Sequence, residues 1–379
     1  MAEKAQATIL FYLMAKPAGG FRNLGLIPEL ARAGGGIRIP HARRWEAANK
    51  RAHDWARRGR SSERAAWLQA LYCESARAEG YEYAVAYFDL VKSFEWVTHG
   101  KVWEAARRWD FNPIVMRVVP RTYSMARRIV PDSSYTDGKA WQRGIVAGSR
   151  AGTCLFFDDL AMTTHGVREF VRPFHLLLIA AVIHMFEERL DVAVSRGSEG
   201  KAVTLASSTE LSTSLNASSR RLGVQVAKRE KHPGVTTAAG RRRRVTGISK
   251  RALKFAARAS RVAAVRPAGG AAHNIVRHAK VPALLYGSSV VGMADSKLNE
   301  LRTSVAMAMQ GNTKGRSTPL TLLSDNVDPS NLINSGPIQA WATAWQEAAL
   351  DEQLANRVSM ASRTWAMKLA LCRSPWLTV

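Results

Sequence analysis

The stretch YFDLVKSFEWV, Tyr87–Val97, decides the fold of this chain. It continues an apolar and aromatic run, and Tyr83–Leu90 (YAVAYFDL) has the composition of a buried β-strand that ends on an acid. The carboxylate of Asp89 would project into whatever cleft the end of the sheet forms. An aspartate in this position is more often a helix cap or a turn former, so the neighbouring sequence has to decide its role.

The composition predicts a folded and strongly basic protein. The chain has 379 residues, enough for two or three compact units, and 46% of them are hydrophobic. Lys and Arg number 55 against 30 Asp and Glu, which gives a formal net charge of +25. Such an excess favours a polyanionic partner, nucleic acid before any other, although a basic protein without a particular partner has the same composition.

Cysteine usage and hydropathy exclude several classes of protein. Cys73, Cys154 and Cys372 are far apart and form no CxxC pair, which argues against a disulfide framework and an ordinary zinc site. The apolar stretch Ile9–Met14 is too short for a signal peptide. The longest apolar run, Phe174–Phe186, is too short for a bilayer of ~30 Å and predicts a buried helix or strand pair. We therefore expect an intracellular protein, nuclear or cytoplasmic, without a membrane partner.

The pattern along the chain predicts an α+β fold built from four consecutive regions. Residues 1–80 begin with a strand at Thr8–Met14 and a Gly-rich turn, and become helical from residue 41. Residues 236–282 include 12 Lys and Arg between Arg241 and Lys280 with no acid, at the spacing of an amphipathic helix. Residues 283–379 form a helical C-terminal appendage without recognisable chemistry. The elements predicted for residues 81–235 are a strand at Tyr83–Leu90, helices at 99–109 and 113–128, a largely helical stretch at 152–190 and a strand at Leu190–Ser195.

Several motifs follow one another in a diagnostic order. A KPAGGFR turn at Lys16–Arg22 precedes the opening stretch, and RGIVAGSRAGTCLF, LDVAVSRGSEG and LGVQVAKREK follow it. Over residues 8–235 this order resembles the fingers and palm of reverse transcriptases, the RNA-directed DNA polymerases of non-LTR retroelements and group II introns. The resemblance implies polymerase-like fingers at 1–80, a palm with an antiparallel sheet packed on helices at 81–235, and a basic thumb-like region at 236–282.

The resemblance also assigns roles to residues of the first two palm motifs. It makes Asp89 the first ligand of catalytic Mg²⁺, for which Mn²⁺ can substitute, and Phe94 the residue that excludes a 2′-hydroxyl. The GIVAGS stretch is similar to a Gly-x-Pro-Gln-Gly-Ser motif that supports template and nucleotide. Gly144, Gly148 and Ser149 match that motif, whereas Val and Ala stand in the place of its Pro and Gln.

Three cations resemble residues that contact the nucleotide in this family. Lys16 and Arg22 match fingers residues that approach the triphosphate, for which a guanidinium is well suited. Lys228 resembles the lysine of a later palm motif, near the leaving pyrophosphate. Taken without the family, each of the three is as well explained as a solvated surface cation.

The third palm motif departs from the family. The pattern is an aromatic residue, any residue and two aspartates, and the best match here is Glu188–Asp191 (ERLD). Leu190 replaces the aspartate that holds the metal and offers no lone pair, so the implied metal ligands are Asp89 and Asp191 alone. Glu187 and Glu188 are out of phase, and the acids at 158 and 159 fall in an expected helix. The departure predicts impaired activity.

The basic region predicts contacts with nucleic acid. A cationic amphipathic helix in the place of a thumb would track the phosphates of a primer–template duplex, without reading sequence. A nuclear-localisation signal at the four consecutive arginines is an alternative. The residues expected to bind are Arg241, Arg242, Arg243, Arg244, Lys250, Arg251, Lys254, Arg258 and Arg261.

Three functions remain open from the sequence. The first is template-directed synthesis of DNA from dNTPs on an RNA template with a DNA primer, by two-metal phosphoryl transfer. The second is a catalytically inactive remnant of a retroelement polymerase that still binds nucleic acid. The third is a basic helical nucleic-acid-binding protein unrelated to polymerases.

Overall fold

A computed structural model describes residues 8–16, 20–49, 55, 60–130, 136, 138–146, 159–231, 235–238, 246–265, 272–310, 315, 317–324, 326–349 and 351–371. The fold is α+β, as the sequence predicts, and it is mostly helical. Its small sheets are mixed and include parallel pairs, whereas the reverse-transcriptase resemblance implies an antiparallel palm sheet. The strands are β1 (Thr8–Ala15), β2 (Phe21–Leu26), β3 (Glu82–Asp89), β4 (Ala126–Val130), β5 (Asp159–Gly166), β6 (Val203–Ala206), β7 (Gln225–Ala227), β8 (Arg229–Lys231) and β9 (Thr236–Ala238).

Helices supply most of the described structure, and two π-helical turns extend them at Met185–Arg189 and Val276–Lys280. The helices are α1 (Glu29–Ala48), α2 (Ser62–Ala78), α3 (Ser93–Trp96), α4 (His99–Arg108), α5 (Pro113–Tyr123), α6 (Arg168–His184), α7 (Thr209–Arg221), α8 (Thr246–Ala256), α9 (Ala259–Ala263), α10 (Ala272–Ile275), α11 (Val281–Leu285), α12 (Ser288–Val291), α13 (Asp295–Gln310), α14 (Thr318–Ser324), α15 (Pro329–Ala348) and α16 (Glu352–Leu371).

The chain divides into two compact units that interleave along the sequence. The first unit comprises residues 1–60, 87–161 and 177–202, and the second comprises 61–86, 162–176 and 203–379. The chain therefore passes between the units within β3, β5 and α6. Helix α2 shares a unit with the C-terminal helices. The four consecutive regions expected from the sequence stay a prediction.

The first unit contains a three-stranded sheet of order β2-β1-β4. Strands β1 and β2 are antiparallel, with Leu10 opposite Leu26, while β1 and β4 are parallel. The side chain of Thr98 accepts a hydrogen bond from the amide of Lys101 and so defines the start of α4. Helices α4 and α5 bury Val102, Ala106, Val115, Met116 and Val119, and β3 buries Tyr87 and Phe88 directly before Asp89.

The second unit contains most of a four-stranded sheet. In the four-stranded sheet of order β5-β3-β6-β7, strands β6 and β7 are parallel. Ser208 caps α7 by accepting a hydrogen bond from the amide of Leu211. Helix α7 buries Leu211 and Leu215 against Ala84 of β3, Val171 of α6 and Ala206 of β6.

A separate helical core fills the rest of the second unit. Helices α8 to α11 and α13 to α15, with the π-helical turn after α10, bury a continuous apolar cluster in which Val276, Val305 and Leu322 are fully inaccessible to solvent. Helix α2 also belongs to this unit, and Trp67 packs edge-to-face on Trp341 of α15 with 5.3 Å between ring centroids. The C-terminal helices are therefore packed elements of a domain core.

Four secondary-structure predictions are wrong in whole or in part. Residues 126–128 form part of β4, because hydrogen bonding to β1 overrides a helical pattern that extends from 113. Residues 159–166 form β5 instead of helix. The helix expected from residue 41 begins at Glu29, twelve residues earlier. The predicted strand at Leu190–Ser195 contributes one isolated bridge, at Val194.

The long apolar helix is less buried than its composition predicts. The stretch Arg168–Arg189 is 22 residues long and is apolar enough to cross a membrane by length and composition alone, and 28% of its most apolar window is buried. One such helix is a weak indication, because core helices of soluble proteins have the same properties. The expected burial of Phe174–Phe186 is wrong for part of the run, since Phe174 and Leu177 are exposed.

Candidate acidic site and cationic helical face

Asp89 lies at the end of β3, beside an antiparallel segment of the first unit. Leu90 forms an antiparallel bridge with Val194, and the amide of Val91 donates to the carbonyl of Ala193 at 2.8 Å. The amide of Ser195 donates to the carbonyl of Asp89 at 2.8 Å. The residue opposite Asp89 in this ladder is therefore Ser195.

The carboxylate of Asp89 is held by a lysine that the sequence analysis does not single out. Lys201 Nζ lies 2.7 Å from Asp89 Oδ2, with the lysine side chain largely exposed and the aspartate side chain 25% exposed. The backbone sets this geometry, because the amide of Lys201 donates to Ser195 Oγ at 3.2 Å and the amide of Ala202 donates to the Ser195 carbonyl at 2.7 Å. The counter-charge of Asp89 is therefore the ammonium group of Lys201.

Asp191 is not opposite Asp89. It lies four residues before Ser195, in a left-handed conformation with φ 55°, and so leaves the ladder. Its Oδ2 is 3.2 Å from Arg143 Nη1, in an ion pair of two well-exposed side chains. The two predicted metal ligands therefore have separate cationic partners.

The neighbouring glutamates also have partners nearby in the chain. Arg196 donates from Nε to Glu187 Oε1 at 2.9 Å, and the amide of Val194 donates to the same oxygen at 3.3 Å. Glu188 Oε2 is 3.0 Å from His184 Nδ1. The acids of this segment are therefore engaged by groups of the chain itself.

The residues present do not fit the two Mg²⁺ ions that the reverse-transcriptase resemblance implies. Two close divalent ions need several carboxylates with free lone pairs that converge on one point. Here Leu190 supplies none, Asp89 is bound by Lys201, and Asp191 is bound by Arg143. Among the described residues, no group of three or more His, Cys, Asp or Glu side chains could hold a metal ion. We derive no metal-dependent step for this site.

The other predicted nucleotide-contacting residues are placed as follows. Lys16 is exposed at the end of β1, and its amide donates to the carbonyl of Gly20 at 2.9 Å to close the hairpin turn. Arg22 lies in β2 opposite Met14. Lys228 is exposed between β7 and β8, in the second unit.

The GIVAGS stretch is described in part. The carbonyl of Phe94 accepts from the amide of Ile145 at 2.6 Å. Gly144 has φ +88°, and a Cβ on it would lie 3.0 Å from the carbonyl oxygen of Glu95, so this position requires glycine. Gly148 and Ser149 lie outside the described residues.

The predicted basic region forms a cationic face in the second unit. Lys250, Lys254, Arg258 and Arg261 are exposed at intervals of four, four and three residues along α8 and α9. Residues on the opposite side, including Phe255, are buried in the helical core. The chain turns at residues 257 and 258 between α8 and α9, but Phe255, Ala259 and Val262 of the two helices are buried in one core. The four cations therefore lie on the exposed side of this helix pair. We call these four residues the cationic face.

Arg251 is not part of the cationic face. Its Nε donates to the carbonyl of Leu284 at 3.3 Å, and its Nη2 donates to the carbonyl of Tyr286. Partial burial lowers the pKa of its guanidinium from the ordinary value. The arginine satisfies carbonyls at the end of α11, a structural role. Arg241, Arg242, Arg243 and Arg244 lie outside the described residues.

Comparison with known proteins adds no family to these observations. No protein-family model matches the chain, and no curated protein is significantly similar to it.

Proposed function

We propose that this chain is a nucleic-acid-binding protein of reverse-transcriptase ancestry that does not extend primers. The cationic face is the observation that carries the proposal. Four exposed cations in one row, on helices anchored by a buried apolar side, form a rigid surface for the phosphates of a duplex. Such contacts need no base recognition and suit binding to any sequence.

The geometry around Asp89 favours an inactive descendant of a reverse transcriptase over an active polymerase. In-line phosphoryl transfer with two metals needs Asp89 free to coordinate. The 2.7 Å ion pair with Lys201 neutralises that carboxylate, and Leu190 stands where the family has a second ligand. An ion pair between exposed groups is weak in free energy, but it has to be broken before Asp89 can bind a metal.

Duplex binding by the full chain tests the first half of the proposal. We expect a short RNA–DNA duplex to bind, and the variant Lys254→Glu/Arg258→Glu to weaken binding strongly. The matched control is Arg220→Glu/Arg221→Glu, which reverses two exposed cations at the end of α7. Equal loss in both variants would mean that net charge alone attracts the duplex, and the cationic face would lose its role.

Primer extension tests the second half. We expect no incorporation of dNTPs on a primed RNA template with Mg²⁺ or Mn²⁺, and no difference between the wild-type chain and Asp89→Ala. Incorporation that disappears in Asp89→Ala would overturn the inactive assignment and restore template-directed synthesis as the function. The two halves are independent, because the duplex assay does not involve Asp89.

A further inference from the structure

The first unit carries an exposed patch in which tryptophans and cations alternate. Lys139, Trp141 and Arg143 are spaced by two residues, and every residue from 138 to 143 is exposed. Trp96 lies on the segment that is hydrogen-bonded to residues 142–145. Trp96 and Trp141 are each 49% exposed, so half of a large apolar ring faces solvent at both positions.

Guanidinium groups lie over both rings. The Cζ of Arg143 is 5.8 Å from the centroid of the Trp96 ring, and the Cζ of Arg127 is 5.8 Å from the centroid of the Trp141 ring. These distances are within the range of cation–π attraction. The patch therefore combines flat apolar surfaces with cations fixed beside them.

The backbone holds the patch in place from two sides. Lys139 and Arg127 exchange amide–carbonyl hydrogen bonds of 2.9 and 3.3 Å. Arg143 forms an antiparallel bridge with Thr98, and the amide of Gly144 donates to the carbonyl of Val97 at 2.8 Å. Anchoring of this kind lowers the entropy lost when a ligand binds, because the contact residues are ordered beforehand.

Acidic side chains reach two of the patch arginines without blocking the rings. Arg143 pairs with Asp191 at 3.2 Å, and both side chains are well exposed, at 45% and 62%. Glu95 acts on Arg127 electrostatically. Exposed pairs like the first contribute little free energy, so an incoming phosphate can replace the Asp191 carboxylate on Arg143.

We propose that Trp96, Trp141 and the cations Lys139 and Arg143 form a binding site for single-stranded nucleic acid. Bases stack on aromatic rings or on guanidinium planes only when they are free of a complementary strand, and their phosphates need adjacent cations. Half-exposed rings flanked by Lys and Arg supply both interactions. The site extends the proposed nucleic-acid binding to a second ligand, and it uses none of the residues of the cationic face.

Fluorescence anisotropy with a labelled oligouridine and with a duplex tests this site in the full chain. Stacking on one ring is worth about 1–3 kcal/mol per base, so Trp96→Ala or Trp141→Ala should each weaken single-strand binding by at least about fivefold. Duplex binding should not change. Trp96→Phe keeps a ring and should retain most of the affinity. Trp345→Ala is the matched control, because Trp345 is 50% exposed and lies in the second unit.

The outcomes separate this site from the cationic face. Unchanged single-strand affinity in the folded double variant Trp96→Ala/Trp141→Ala would overturn the proposal, as would an equal loss in Trp345→Ala. Loss of duplex binding in Lys254→Glu/Arg258→Glu with single-strand binding intact would support two separate sites. A melting curve of each variant excludes unfolding as the cause, and Trp96→Phe provides a second check on the role of the ring.

Discussion

Lys201 and Asp89 form an ion pair of 2.7 Å at the end of β3, although 112 residues separate them in the sequence. The pair places an ammonium where the reverse-transcriptase resemblance implies a divalent cation. An ammonium satisfies the charge of the carboxylate but can neither polarise a phosphate as a metal does nor lower the pKa of a bound hydroxyl. The ion pair therefore neutralises the Asp89 carboxylate without supplying the metal chemistry that the resemblance implies.

Removal of the lysine should expose a latent cation-binding carboxylate. A monovalent and a divalent charge about 4 Å apart repel by about 2 kcal/mol in water, so Lys201→Ala should raise Mn²⁺ affinity by roughly 30-fold. Electron paramagnetic resonance of free Mn²⁺ measures this directly. The gain should vanish in Lys201→Ala/Asp89→Asn, and Lys297→Ala, which breaks another exposed ion pair, should show none.

The ion pair between Lys201 and Asp89 also predicts what happens when Leu190 is replaced by the aspartate that the family has in its third palm motif. Leu190→Asp alone should leave primer extension absent, because Lys201 still neutralises Asp89. Extension by the single variant would show that the ion pair does not limit the site, and our assignment of Lys201 would fail.

The four cations of the cationic face should contribute a calculable share of the slope of log affinity against log salt concentration for duplex binding. Each phosphate contact contributes about −0.9 to the slope of log affinity against log salt, so four contacts contribute about −3.6. Lys254→Gln and Arg258→Gln should each make the slope shallower by about 0.9. Arg220→Gln should leave it unchanged, and an equal effect at that position would contradict a localised contact surface.

Sequence periodicity predicts correctly those helices and strands whose conformation is determined by their own residues. The apolar run before Asp89 fixes β3, and the regular spacing of Lys250, Lys254, Arg258 and Arg261 fixes the cationic face. Arg251 lies in the same basic stretch, but its side chain points inward and donates to the carbonyls of Leu284 and Tyr286. These acceptors lie more than thirty residues further along the chain, so the local sequence does not reveal them. Composition cannot supply that information.

The rest of the acidic site depends on long-range pairing. Lys201 is brought to Asp89 by hydrogen bonds around Ser195, and β6, which follows it, has only four residues. A strand that short carries almost no periodic signal. The available signal is the Gly-containing turn at residues 197–200, which is followed by a lysine two residues before VTLA. For Ala126–Val130, pairing with β1 decides the conformation, and residues that fit a helix locally become a strand.

The buried histidine of the second unit should make stability depend on pH. His175 is inaccessible to solvent and lies between Thr164 Oγ1, at 2.9 Å, and Thr204 Oγ1, at 3.3 Å. Burial lowers its pKa from 6.5 to about 4. Between those values the unfolded chain binds more protons than the folded one, so stability is full above pH 6.5 and falls as the pH falls toward 4.

Urea unfolding measures this contribution. Lowering the pH from about 7 to about 5 should reduce the free energy of unfolding by about 2 kcal/mol through His175 alone. His175→Gln should be less sensitive to pH by that amount, whereas His278→Gln, at an exposed position, should behave like the wild-type chain. Identical pH profiles for all three proteins would contradict a neutral buried His175.

The ion pair between α2 and α15 should be costly to break, because its arginine is largely buried. Arg64 donates to Glu347 Oε2 at 2.9 Å and to the carbonyl of Ala340 at 2.8 Å, and its side chain is only 12% exposed. Its guanidinium also lies 4.7 Å from the centroid of the Trp67 ring. Glu347→Gln would leave this cation largely buried without a counter-charge, so we expect it to lower the free energy of unfolding by about 1–3 kcal/mol.

A double-mutant cycle distinguishes this cost from general damage to α15. Arg64→Met removes the charge and keeps the apolar stem over Trp67, so the loss in Arg64→Met/Glu347→Gln should be smaller than the sum of the single losses. Glu300→Gln, which breaks the exposed pair with Lys297, should change stability by less than about 0.5 kcal/mol. Strict additivity of Arg64→Met and Glu347→Gln would mean that the two side chains do not interact in solution, and the proposed cost of breaking the pair would be wrong.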